Sequence, residues 1–120
     1  LDEETLNALI LDSLKDPVLV ADTDHRIVYM NAAAKAHYGR GEELLGTSLL
    51  DCHNERSCET ILQVLEALRR GEEERLITDN EKHRIYMRAV RDGGGRVVGY
   101  YERYEPPDRG ASSETQGDGR

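Results

Sequence analysis

"DPVLVADTDHRIVYMNAAAKAHYG", residues 16–39, changes its hydrophobic period partway through. VLVAD (18–22) and RIVYMN (26–31) are short runs rich in β-branched residues on either side of Thr23-Asp24-His25. They are too short for helices and read as two strands of a hairpin-like pair. At Asn31 the composition turns to helix formers, so NAAAKAHYG (31–39) predicts a short helix with Asn31 as its N-cap and Gly39 as its C-terminal stop.

Upstream, DEETLNALILDSL (2–14) spaces Leu6, Leu9, Ile10 and Leu14 as one helical stripe, with Asp2, Glu3 and Glu4 at the positive end of the dipole. This amphipathic helix ends before Pro17. Leu1 and Leu11 widen the apolar surface beyond a single narrow face, so the helix needs more than one neighbour. Downstream, EELLG (42–46) predicts one helical turn. NERSCETILQVLEALRRG (54–71) predicts the longest helix, with Cys58, Ile61, Leu62, Leu65 and Leu68 as its stripe, Arg69 and Arg70 in the last turn and Gly71 closing it.

Beyond Gly71 the period falls to two. RLITDN (75–80), KHRIYMRAVRD (82–92) and GRVVGYYERYE (95–105) read as three strands, joined through Asp79-Asn80-Glu81 and Asp92-Gly93-Gly94-Gly95. In the middle strand His83, Ile85, Met87 and Ala89 share the face expected to meet the core. The order strand, strand, short helices, long helix and three antiparallel strands predicts an α+β domain with its helices on one face of a sheet. An opening helix (1–15) precedes the domain proper (16–105). The remainder, PPDRGASSETQGDGR (106–120), has one alanine as its only apolar residue besides proline and glycine and is expected to be a disordered tail.

The composition narrows the partners. With 16 Lys+Arg against 24 Asp+Glu and a net charge of −8, the chain disfavours nucleic acid and anionic lipid. No apolar run approaches the length of a membrane span. Two cysteines make no disulfide framework, and the expected location is cytoplasmic. There is no Trp or Phe, so the core is expected to be aliphatic, carried by Leu, Val, Ile and Ala.

From Leu14 to about Glu105 the chain resembles a PAS domain. Residues 16–39 match its opening strands and Asn-initiated helix, EELLGTSLLD (42–51) its LG turn, and GGGRVVGYYERYE (93–105) its closing strand. The resemblance implies a five-stranded antiparallel sheet in the order 2-1-5-4-3, with helices cupping a pocket against its inner face. It also implies sensing or protein association, within a signalling chain and without catalysis. A homodimer through residues 1–14 is expected, because the corresponding segment of PAS domains commonly packs across a symmetric pair. Tyr104-Glu105 runs into Pro106-Pro107, where many members carry an Asp-Ile-Thr-like ending.

The chemistry concentrates in LLDCHNERSC (49–58), which holds both cysteines and His53. Cys52, His53 and Cys58 offer at most three ligands at spacings foreign to a zinc site, and the stretch is not the CxxCH of covalent haem. A helical Cys52 and Cys58 would stand about 9 Å apart along the axis, too far for a disulfide. Neighbouring Cys52 and His53 diverge rather than form a nucleophile and base. Cys58 on the apolar stripe reads as a small hydrophobe, and Asn54 as the cap of the long helix. Arg84, Arg88 and Arg91 read as a solvated sheet face, and the triple glycine as a hairpin turn.

Residues 52–57 resemble a PAS subgroup carrying CHxxxS, with Cys52, His53 and Ser57 in those places. GTSLLDCH (46–53) lacks the Asn-Cys pair of flavin-binding LOV members, which disfavours flavin. No histidine lies within 54–71, where haem-binding members place their axial ligand. The candidate pocket residues are therefore Asn31, Cys52, His53, His83 and Met87. The ligand is left open, with a haem- or metal-bearing sensor using His53 or His83 as the alternative.

Overall fold

The computed structural model describes residues 1–107, apart from the side chain of Cys52, so the expected tail lies outside the described residues from 108 onward. The elements are α1 (Glu3–Asp12), β1 (Val18–Asp22), β2 (Ile27–Met30), α2 (Ala32–Tyr38), two 3-10 turns (Gly41–Leu44 and Leu49–Cys52), α3 (Glu55–Arg69), β3 (Glu74–Asp79), β4 (Arg84–Arg91) and β5 (Val97–Glu105). The strands form one antiparallel sheet in the order β2-β1-β5-β4-β3, as the resemblance implies.

Two hairpins are wired alike. Asp22 Oδ1 accepts the N–H groups of Asp24 and Arg26, and Asp92 Oδ1 those of Gly94 and Arg96. In each, the fourth residue takes a positive φ: 86° at Gly95, where only hydrogen stands on Cα, and 68° at His25. A side chain in that conformation is strained. His25 is buried, and its Nδ1 lies 2.8 Å from the Tyr100 hydroxyl, a contact glycine could not make.

Asn31 caps α2 through the Ala34 N–H. The same oxygen accepts the Val18 N–H, while Nδ2 donates to the carbonyls of Leu11 and Asp16. One amide thus ties β1, β2, α2 and the end of α1 together. α1 itself buries nothing fully. It is held by polar contacts, with Tyr29 Oη donating to Asp12 Oδ1 at 2.7 Å, and it leaves Leu6, Leu9, Ile10 and Leu14 44–52% exposed.

α3 lies over the inner face of the sheet and buries Ile61, Val64, Leu65, Ala67 and Leu68. The expected stripe is corrected at two places. Leu62 is exposed and Val64 takes the inward position, and Cys58 is half-buried, with its thiol donating to Leu50 O. The stripe follows the axis of the helix over the sheet, which periodicity alone does not orient. Arg91 is also more than a solvated charge. Its guanidinium donates to Leu68 O at 2.7 Å in the last turn of α3 and to Glu72 O at 3.1 Å just beyond it, pinning that end to β4. On the outer face Arg103 pairs with Glu74 and Glu105 and lies 4.2 Å over the Tyr86 ring.

Candidate functional site

The first half of α3 and the far side of the sheet do not close fully on one another. Between them lies a cavity of about 80 Å³, lined by His53, by Ser57, Thr60 and Ile61 of α3, by Ile77 and Thr78 of β3, by Ile85 of β4, and by Glu102 and Tyr104 of β5.

Glu102 is the residue that sequence reasoning missed. β5 is the central strand, and Glu102 stands opposite Leu19 on β1 and Met87 on β4, both wholly buried. Its parity with Tyr100 and Tyr104 therefore turns the carboxyl inward. It is 2% exposed, and among the described residues its Oε2 has no hydrogen-bond partner. Burial pushes the carboxyl above the ordinary range, against the opposing pull of His53. The available signal was strand pairing, since the position facing Met87 across a ladder shares its face.

His53 ends the second 3-10 turn, and its extended backbone turns the chain into α3. Its Nδ1 lies 2.8 Å from Leu49 O. A carbonyl only accepts, so Nδ1 carries a proton and donates it there. Asn54 then caps α3 by accepting the Ser57 N–H at 2.8 Å. Thr60 has committed its hydroxyl proton to Arg56 O, and the Tyr104 hydroxyl is bonded to that of Tyr38.

Of the other sequence candidates, Asn31, Met87 and His83 fall elsewhere. Asn31 is fully buried with its amide engaged by backbone and does not line the cavity. Met87 packs inside the main core cluster, again away from the lining. Cys52 closes the turn Leu49–Cys52, and its side chain lies outside the described residues. His83 meets His37 at 5.7 Å between ring centroids and Tyr104 at 4.9 Å. Tyr104 thus stands between the imidazole pair and the cavity. Burial, His37 and Lys82 hold His83 below the ordinary imidazole value. No group of three or more His, Cys, Asp or Glu among the described residues is placed to hold a metal ion.

A sheet of this order with α3 across its inner face defines the class, and sequence comparison agrees with it. The PAS fold family model matches residues 11–107. The chain belongs to the PAS family of sensory domains. Among solved structures it is similar to a C-terminal domain from Streptococcus mutans (22% identity, TM-score 0.70, covering 86% of this chain and 84% of that one). It is also similar to the PAS domain of a Colwellia psychrerythraea protein (15%, 0.68, 88% and 97%). A third likeness is to a sensory box sensor histidine kinase from Vibrio cholerae (14%, 0.57, 84% and 89%). No curated protein matches the sequence. Among the described residues no helix is long and apolar enough to cross a membrane.

Proposed function

We propose that this chain is a non-catalytic sensory input module that takes a small molecule into the cavity under α3 and associates with a second copy through α1. The observation that carries the reading is the buried Glu102 carboxyl at that cavity, whose Oε2 has no hydrogen-bond partner among the described residues. Native proteins rarely leave a buried polar atom unsatisfied away from functional sites. By volume the cavity suits a compact ligand. At about 10–15 Å³ for each water-sized occupant it takes on the order of five to eight non-hydrogen atoms.

Catalysis is the weaker reading. Ser57, His53 and Glu102 share the cavity, but the Nδ1 proton of His53 goes to Leu49 O rather than to the carboxylate. The three are therefore not wired as nucleophile, base and orienting acid. A haem-bearing sensor is also weaker, because the cavity is far below the several hundred Å³ of sites for larger ligands and His83 does not line it.

Association rests on the outer stripe of α1, where Leu6, Leu9 and Ile10 are exposed, with Leu14 exposed just past the helix, while the opposite side is tethered to Tyr29 and Asn31. A symmetric pair would let the stripe meet itself. The net charge of −8 argues against nucleic acid and anionic lipid as partners, and a cytoplasmic signalling protein is the setting this reading adopts.

The test is a screen of neutral, cationic and anionic small molecules by amide chemical-shift mapping. Binding should move Ser57, Thr60, Thr78 and Glu102 together. A screen in which no compound moves them would sink the reading.

A further inference from the structure

The cavity wall is asymmetric in its hydrogen-bonding chemistry. Thr60 has given its hydroxyl proton to Arg56 O, and His53 its Nδ1 proton to Leu49 O. What the Thr60 hydroxyl retains toward a ligand is lone pairs, and Ser57 and Thr78 add hydroxyls that accept as well as donate. Glu102 adds a buried carboxyl with a free oxygen. Among the described residues no Lys or Arg lines the cavity, so none of them answers that carboxyl with a fixed positive charge. The remaining wall includes the aliphatic groups of Ile61, Ile77 and Ile85.

A buried carboxyl oxygen without a hydrogen-bond partner, beside hydroxyls that accept, suits a ligand that brings donors. An ammonium group supplies three, together with the charge that a buried carboxylate requires. A carboxylate ligand would meet like charge whenever Glu102 ionises, and an alcohol would bring no charge to answer that ionised carboxyl. We propose that the cavity is a site for a small protonated amine, its ammonium held by Glu102 with the lone pairs of the Thr60 hydroxyl, and its short apolar body against Ile61, Ile77 and Ile85. This rests on the reading of the cavity as the ligand site and names the chemical class it takes. Where Glu102 holds its proton in the empty protein, binding of an already charged amine releases that proton to solvent, so both charge and atoms are conserved.

Three probes share one carbon skeleton and differ in the polar group: isobutylamine, isobutanol and isobutyrate, each titrated into the isotopically labelled chain at neutral pH. Isobutylamine should shift the amides of Ser57, Thr60, Thr78 and Glu102 and bind about tenfold or more tighter than the other two, the difference expected of a charge-assisted hydrogen bond. Glu102→Gln keeps the shape of the side chain and removes its charge. It should weaken the amine about tenfold or more while changing isobutanol by less than about twofold. Thr60→Val should weaken the amine by a smaller factor. The amide spectrum of each variant shows directly whether it is folded.

Isobutanol or isobutyrate binding at these residues as tightly as the amine overturns the inference and leaves the cavity a ligand site. Undiminished amine binding by folded Glu102→Gln overturns it as well. Failure of all three probes overturns it while leaving the broader reading to the wider screen.

Discussion

Asn31 and Val18 exchange two hydrogen bonds: the Asn31 side-chain oxygen accepts the Val18 N–H at 3.0 Å, and Val18 O accepts the Asn31 N–H at 3.0 Å. The side chain occupies the ladder position that would otherwise leave Val18 N unpaired, and it caps α2 with the same oxygen. Asn31→Ala removes both bonds to that oxygen and frees the carbonyls of Leu11 and Asp16. We expect a loss of about 3 kcal/mol, the sum of a lost cap and an orphaned buried amide. Urea unfolding checks it, and a loss under about 1 kcal/mol would show that water replaces the amide.

Gly99 is required by close approach. A Cβ placed there would stand 2.6 Å from Ala21 O, a backbone atom held in the ladder between β1 and β5. Gly99→Ala should therefore force the two central strands apart and destabilise by about 1–3 kcal/mol. Thermal unfolding of the variant measures it, with Gly93→Ala as the control, since a Cβ at Gly93 meets nothing within 4 Å.

Glu102 makes stability fall as pH rises. Its carboxyl is held above the ordinary 4.5 by burial, so the folded chain keeps the proton more tightly than the unfolded one. The stability is complete below that value and is lost progressively as pH climbs toward the folded value. Glu102→Met removes both the ionisation and the unpaired oxygen, and should stabilise the protein at neutral pH by about 1–3 kcal/mol while flattening this part of the pH profile. Destabilisation at neutral pH would mean that the carboxyl has a partner in the empty protein.

His25 works in the opposite direction. Burial and the Arg69 charge hold its imidazole below 6.5, despite Asp22 and Asp24, so the unfolded chain takes the proton first. Stability is therefore lost as pH falls through 6.5 and levels off below the folded value. The pair variant His25→Asn with Tyr100→Phe keeps a residue that tolerates positive φ and leaves no hydroxyl orphaned. Its acid slope should be shallower than that of the wild type in denaturation at stepped pH, the remaining slope including the contribution of His83. An unchanged slope would place the acid sensitivity elsewhere.

The apolar stripe of α1 predicts association. Leu6→Glu with Ile10→Glu should give a folded monomer in sedimentation at tens of micromolar, where the wild type sediments as a dimer. A wild type that is monomeric there ends the proposal.

What the sequence determined by itself is local. Asn31 before three alanines is a cap because its short side chain reaches a free amide two or three residues on, and Asn54 acts in the same way at α3. The turns at Asp22 and Asp92 follow from a carboxylate bonding its own backbone, and the shift from helical to alternating period after Gly71 is visible without a neighbour. The inward face of β4 was legible too, because Ile85 and Met87 alternate with Arg84, Tyr86 and Arg88.

Tertiary structure decided the site. In YYERYE (100–105) tyrosine occurs at both parities, so the alternation that picks a face elsewhere is silent there, and only pairing with Leu19 and Met87 turns Glu102 inward. Leu62 and Val64 changed places for a related reason, since a helix stripe acquires its direction from the surface it crosses. His53 and Glu102 lie far apart in the chain and meet at one cavity because β5 runs through the centre of the sheet while the 49–53 turn delivers the start of α3 above it. Side-chain spacing along a chain encodes which face a residue shares with its neighbours, and the partner across that face is set by how the elements pack.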